Sequence, residues 1–331
     1  MTSAGDAIPL RIPFTSPAQW PSRAPGRFSA SMAIADAPGA VPPADCTLAL
    51  LGLPDDTGVR LNGGRAGAAD GPRAFRAALA RYGATWDLDR DRALDLRVFD
   101  AGDVEPAPGG DEAALLQTHA RVEAAVGALH AAGCATIAVG GGHDLALPCI
   151  AAWARHCGGA VGGINLDAHL DVRERVGSGM PFRRLIEGGH VDPHAFIELG
   201  LGRFANEPGD VAWARARGVM LISADTIAAA PPALGILLAQ AAGPGGAFVS
   251  IDLDAIDAAS APGVSAPSPL GVVAGTAAHL AEAAGQNPRV GHLNIMELCP
   301  AHDPEGRTAR LAALLFLSFV AGMASRRARG A

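Results

Sequence analysis

Residues 160–171 read Ala160-Val161-Gly162-Gly163-Ile164-Asn165-Leu166-Asp167-Ala168-His169-Leu170-Asp171. The stretch opens as a β-like run and closes on ionisable residues spaced by two. Alternate side chains of an extended segment share a side, so Asp167, His169 and Asp171 converge. A second stretch, Ser250-Ile251-Asp252-Leu253-Asp254, ends another such run and brings two carboxylates together. Carboxylates this close repel and ionise cheaply only around a cation. His143 follows Gly140-Gly141-Gly142 at the end of a third run, and those glycines are expected to let the backbone turn tightly and bring the imidazole in. The candidate metal ligands are therefore His143, Asp167, His169, Asp171, Asp252 and Asp254. They are too many for one ion and suit two. Carboxylate and imidazole donors without thiolate favour Mn²⁺ or a similar metal over structural zinc. In two-metal sites the ions lie ~3.5–4 Å apart and share a water that becomes the nucleophile. A lone Asp-x-His-x-Asp could instead be a loop of Asx turns, and Gly140–Gly142 alone resembles a phosphate cradle. The joint placement of the clusters after β-like runs outweighs the first reading. The second lacks both GxGxxG and GK[ST].

The surrounding pattern places these clusters. Strands are expected at Thr47–Leu53, Leu96–Asp100, Ala135–Val139, Ala160–Leu166, Phe196–Leu199, Val219–Ile222, Ala247–Asp252 and Val290–Met296. Helices are expected at Asp111–Ala132, Leu145–Arg155, Pro208–Arg217, Leu234–Ala241, Ala274–Ala284 and Arg307–Met323. Short apolar runs alternating with amphipathic stretches describe an α/β protein, a mostly parallel sheet with helices on both faces. Ligands of such sheets bind beyond the carboxyl ends of the strands, where the clusters and Glu297 fall. Residues 1–44, rich in Pro, Ala and Ser, read as an N-terminal extended arm. No composition break divides residues 45–331, so they read as a single domain.

Composition narrows the function. A net charge of −7 without a basic cluster argues against nucleic acid as partner. All 26 basic residues are arginine, and alanine and glycine are abundant, so a lone Arg or Gly says little. Five scattered cysteines without CxxC spacing exclude a disulfide framework and fit a reducing, cytoplasmic location. The start of the chain has no basic segment followed by an apolar run, so no signal peptide is expected. The apolar stretch Leu311–Ala324 is shorter than the ~20 residues of a bilayer span and reads as a buried C-terminal helix, with no membrane partner.

Three blocks carry a family resemblance: Gly140–His143, Asp167–Asp171, and Ser250–Asp254 running into Ala261-Pro262-Gly263. Together they resemble the arginase/agmatinase/formimidoylglutamase superfamily, the ureohydrolases, from about Asp45 onward. Gly58–Ala68, Ala261–Pro267 and Gly306–Arg310 are most similar to the formimidoylglutamase branch. The resemblance implies a three-layer α/β/α fold with a central, mostly parallel sheet of about eight strands, a dimanganese centre and a homo-oligomer. It places His143, Asp167, Asp171 and Asp252 on one ion and His169, Asp167, Asp252 and Asp254 on the other. It sets Glu297 against the amidine of a small-molecule substrate, with Asp171 as the group that passes a proton. Gly142 stands where arginases have Asp. Ser178 stands where arginases and agmatinases have a His, which favours the formimidoylglutamase branch. The implied reaction is hydrolysis of N-formimidoyl-L-glutamate to L-glutamate and formamide. Arg60, Asn62, Arg65, Ser178 and Arg183 are the candidate substrate contacts, the arginines because a guanidinium grips carboxylates bidentately. The rivals are a ureohydrolase releasing urea from a guanidino substrate, a one-zinc deacetylase of the same fold, and an inactive homologue serving as a partner subunit.

Overall fold

Strands apolar at nearly every position must be covered on both faces, and that requirement organises the chain. The computed structural model describes residues 11–229, 233–243 and 245–329. Its first half runs β1 (Thr15–Ser16), β2 (Ala33–Ile34), β3 (Leu48–Leu53), α1 (Thr57–Leu61), α2 (Gly71–Leu79), β4 (Trp86–Asp87), β5 (Arg92–Ala93), β6 (Val98–Val104), α3 (Glu112–Ala131) and β7 (Ala135–Gly140). Then follow α4 (Ala146–Cys157), β8 (Val161–Leu166), α5 (Pro181–Glu187), β9 (Val191–Leu201), α6 (Pro208–Ala216), β10 (Met220–Ser223) and α7 (Ala224–Ala229). The last elements are α8 (Leu234–Gln240), β11 (Ala247–Asp252), α9 (Ala274–Gln286), β12 (Val290–Met296) and α10 (Arg307–Arg329).

One ten-stranded sheet has the order β1-β6-β3-β7-β12-β11-β8-β9-β10, with β2 beside β6. β1 pairs antiparallel; the other pairings in this sheet are parallel. All eight expected strands are present, and the parallel sheet between two helical layers is the three-layer α/β/α arrangement. Along β3, Leu48 and Leu50 join a core with Phe75 and Leu79 of α2 and much of α9 and α10. Ala49, Leu51 and Leu53 face Val122, Val126 and Leu129 of α3 on the other side. Beneath α4 and α5 a third cluster gathers Phe182, Phe196 and Phe248.

The helix expected at Asp111–Ala132 shows both of its signals. Asp111 accepts from Ala114 N at 2.9 Å, and Gly133 takes φ 84° past the last turn. The C-terminal helix is longer than expected. Pro304–Arg326 is 23 residues of mean hydropathy 1.6, apolar and long enough to cross a bilayer, yet 78% of its apolar window is buried inside the protein. Phe316 explains part of that, meeting Phe28 and Phe75 edge-on at 6.0 and 5.6 Å. Each such pair adds ~0.5–1.5 kcal/mol beyond its burial.

The first ten residues of the expected arm lie outside the described residues. Residues 11–44 add β1 and β2 to the β6 edge, and Trp20 Nε1 donates to Asp100 Oδ2 at 2.6 Å. Arg76, fully buried, holds the same carboxylate from α2 at 2.8 Å.

Candidate metal centre

Four adjacent central strands, β7, β12, β11 and β8, end on the polar clusters. Neighbouring strands lie ~4.8 Å apart, so side chains from their carboxyl ends meet without any long loop. The glycines of the Gly140–Gly142 turn act by making room for neighbouring atoms, and none of them needs a positive φ. Gly142 has an ordinary φ of −63°. A Cβ on Gly141 would lie 1.8 Å from Asp55 O, and one on Gly142 would lie 2.5 Å from Asp144 Oδ1.

His143 is buried, and its Nε2 lies 2.9 Å from Ser250 Oγ. With that nitrogen donating, Nδ1 presents its lone pair inward. Around Nδ1, the Oδ2 atoms of Asp167, Asp171 and Asp252 each stand at 3.0 Å. None is aligned as a hydrogen bond, and Nδ1 has no hydrogen-bond partner. Three oxygens disposed around one nitrogen but in line with none form a shell around a common centre. On the other side, His169 Nδ1 lies 3.2 Å from Asp254 Oδ2 and 3.5 Å from Asp167 Oδ1. The donors thus form two groups, His143/Asp167/Asp171/Asp252 and Asp167/His169/Asp254, sharing Asp167. Asp252 stands with the first group through Oδ2, while its Oδ1 faces the second, accepting from Asp254 N at 2.7 Å as Asp167 Oδ1 accepts from His169 N at 2.7 Å.

The electrostatics carry the same message. Burial, then Asp254, pushes the Asp252 carboxyl well above the carboxylate range. Burial raises Asp254 to about 7, against the nearby His169. Burial opposes the charge on His169, yet Asp254 and Asp167 push it up to about 12. Carboxyls forced toward neutrality beside imidazoles forced toward charge form a set whose ordinary protonation states do not fit together. Divalent cations on the two donor groups resolve that conflict.

Glu297 is buried at the mouth of β12. Its Oε1 accepts from His143 N at 3.0 Å, and its Oε2 has no partner. Glu297 and Asp171 both have positive φ, 65° and 48°, a conformation that costs a non-glycine residue ~1–3 kcal/mol and persists where its surroundings enforce it. Here Gly141 O accepts from Glu297 N at 2.9 Å and Asp171 O from Phe182 N at 3.1 Å.

A cavity of about 310 Å³ opens above this floor, its wall formed by Asn62, Gly63, Gly64, Arg65, Arg173, Ser178, Ser265 and Ala266. Asn62, Arg65 and Ser178, expected as substrate contacts, line it. Arg60 and Arg183, expected with them, do not. Arg60 is paired with Asp56 and Thr57 Oγ1. Arg183 is held by Glu174 and Glu187 at 2.7 and 3.2 Å, over the ring of Trp213. Arg173 takes their place, its Nη1 2.8 Å from Asn62 Oδ1. In the sequence it is one arginine among many, although it lies two residues beyond the candidate ligand Asp171. Arg65 clasps two loops, donating to Ser265 O at 3.0 Å and Val264 O at 2.6 Å, which leaves Nη1 available.

A three-layer α/β/α fold with two carboxylate–imidazole groups at the centre of its sheet rim defines a class, and the comparisons name it. The sequence profile described as the Arginase family matches residues 46–322. The chain is 36% identical over 286 residues to formimidoylglutamase of Aeromonas hydrophila, covering 81% of this chain and 84% of that protein. It is 32% identical over 317 residues to guanidinopropionase of Pseudomonas aeruginosa, covering 92% and 95%. The crystal structure of Trypanosoma cruzi formiminoglutamase with Mn²⁺ superposes with a TM-score of 0.80 at 33% identity, over 87% of this chain and 96% of that one. The chain belongs to the arginase family.

Proposed function

We propose that the protein is a formimidoylglutamase, hydrolysing N-formimidoyl-L-glutamate to L-glutamate and formamide with two Mn²⁺ ions. The observation that carries this reading is the pairing of an acidic floor with two wall arginines, Arg65 and Arg173. The substrate has the matching polarity, a cationic formimidoyl head and two carboxylates. His143, Asp167, Asp171 and Asp252 would hold one ion; Asp167, His169 and Asp254 would hold the other. Bound there, the cations would supply a water of lowered pKa as the nucleophile.

The rest is the work of the chain. Glu297, fixed through Oε1, turns its free Oε2 to the amidinium, orients the reacting carbon and offsets positive charge on the head. Asp171, held in its strained conformation beside His143, passes the proton of the attacking water to the departing nitrogen. That nitrogen leaves as the amine of glutamate, and the formimidoyl carbon leaves as formamide. Arg173, steadied by Asn62, and Arg65 bind the two carboxylates.

The guanidinopropionase relative favours a second substrate class, a guanidino acid releasing urea. A single-carboxylate acid of that kind needs only one of the two arginines. Assaying formamide plus glutamate against urea across a panel of formimidoyl and guanidino acids decides between them. Formamide with a kcat/KM above that of every guanidino acid supports the proposal, and urea as the favoured product overturns it. A homo-oligomeric state and a cytoplasmic location belong to the same reading; analytical ultracentrifugation tests the first.

A further inference from the structure

Glu198 is a carboxyl where packing asks for an apolar side chain. It lies within β9 in the run Phe196-Ile197-Glu198-Leu199 and is fully buried. Ile197 and Leu199 project into one core cluster. Phe196, on the same face as Glu198, stacks on Phe182 at 5.0 Å. Burying a carboxyl among such groups is unfavourable unless its oxygens find donors. Glu198 finds one. Asn165 sits directly across the parallel β8–β9 pairing, and its Nδ2 donates to Glu198 Oε2 at 2.9 Å. Glu198 Oε1 and Asn165 Oδ1 have no partner, so the pair is not arranged to satisfy itself.

The same Nδ2 lies 3.3 Å from Asp167 Oδ2, the oxygen that stands 3.0 Å from His143 Nδ1. One amide nitrogen therefore bridges a carboxyl with no other task and the carboxylate common to both ligand groups. A primary amide can turn over and exchange its oxygen for its nitrogen. Turned over here, Asn165 would set Oδ1 against Asp167 Oδ2, acceptor against acceptor. An acceptor on the far side of the amide holds the nitrogen where it is needed.

We propose that Glu198 is a positioning residue for the metal centre, acting through Asn165: it keeps the amide nitrogen turned to Asp167 and so holds that shared carboxylate in its ligating orientation. The inference rests on reading the cluster as a metal centre. Partners of this kind behind a ligand are worth 10–100-fold in metal affinity.

The test is competitive Mn²⁺ titration against a fluorescent chelator, with a thermal melt of each protein to establish that it is folded at the titration temperature. In Glu198→Leu the Mn²⁺ affinity should fall by about 10–100-fold. In Glu198→Gln, which keeps an acceptor at the same place, it should stay close to wild type. Asn165→Ala should weaken binding at least as much as Glu198→Leu, and adding Glu198→Leu to it should cost little more. A purely structural Glu198 would lower the melting temperature and leave the affinity of the folded protein unchanged. Wild-type affinity in folded Glu198→Leu overturns the proposal, as does an undiminished Glu198→Leu effect in the Asn165→Ala background. Should Glu198→Leu not fold, wild-type affinity in Asn165→Ala overturns it alone. A wild-type protein that binds no Mn²⁺ defeats the metal reading itself, an outcome distinct from these.

Discussion

The two ends of the central sheet both bury imidazoles and treat them in opposite ways. At the carboxyl ends, His143 and His169 stand among Asp167, Asp171, Asp252 and Asp254. Nearer the strand starts, His130 and His292 flank Thr136, whose Oγ1 lies 3.3 Å from His130 Nε2 and 2.6 Å from His292 Nδ1. His292 Nε2 reaches Asn294 Oδ1 at 2.7 Å, and His130 packs on Trp153. Among the described residues, none of the groups that shift this lower cluster is a carboxylate. Burial, then His292 and His156, pushes His130 down to about 3, and burial pushes His292 down to about 4. The carboxylates drive the upper pair the other way, against the same burial. Imidazoles linked through neutral hydrogen bonds need nothing further. Imidazoles crowded by carboxylates need cations, and that separates the working end of the sheet from the structural one.

The largest effect should come from the residue on which the upper end turns. Asp167→Ala removes the donor common to both groups, so the purified variant should carry fewer than two Mn²⁺ and lose at least about 10³-fold in kcat/KM. Two retained ions, counted by mass spectrometry of the metal, would break the contrast. Glu297→Gln removes charge from a cavity-lining carboxyl that belongs to neither donor group. It should keep both ions and lose about 10²–10³-fold in kcat. Arg173→Met tests the wall rather than the floor. One charge-assisted contact to a carboxylate is worth about 1.5–3 kcal/mol, so KM should rise about 10–100-fold with kcat nearly unchanged.

The smallest effect belongs to the lower end. An unfolded histidine titrates near 6.5, above the native values of His130 and His292, so below about pH 6.5 the unfolded chain binds more protons. The stability these groups contribute is complete above that pH and is lost as pH falls toward 4, by up to ~1.4 kcal/mol per pH unit for each histidine. Urea unfolding from pH 7 to 5 should be less pH-dependent in His292→Leu than in wild type. Equal slopes would show that His292 is not held neutral.

What could be read from the sequence divides along the same physical line. β11 and β12 have the bounds expected of them, because each is an apolar run that stops at a carboxylate. β9 extends from Val191 to Leu201 rather than the expected Phe196–Leu199: Pro193 and its polar neighbours interrupt the apolar signal, and the pairing with β8 shifts register across them, from Val191 opposite Val161 to Phe196 opposite Gly163. α2 was missed: Gly71-Pro72 opens it, and glycine is uninformative in so glycine-rich a chain. The two-residue strands β1 and β2 have no periodicity to detect; they exist because β6 offers a free edge.

At the site, the six candidate ligands were legible because they gather at or just past strand ends; the alternation expected of them does not continue there, since β8 stops at Leu166, Asp171 takes φ 48° and Leu253–Ala255 is a 3-10 turn. The arginines were not. Arg60, Arg65, Arg173 and Arg183 look alike in sequence, and only the positions of Asp56, Val264, Asn62 and Glu174 decide which reach the cavity. Glu198 had a signal that went unused: a lone carboxyl inside an apolar strand.

The central claim is that the crowded carboxylates at this rim are made compatible by a pair of cations, and anomalous diffraction at the manganese edge from Mn²⁺-loaded crystals tests it most directly. Two peaks should appear, one among His143, Asp171 and Asp252 and one between His169 and Asp254, with Asp167 reaching both. A fully loaded crystal showing no peak there, or a single one, would contradict the account.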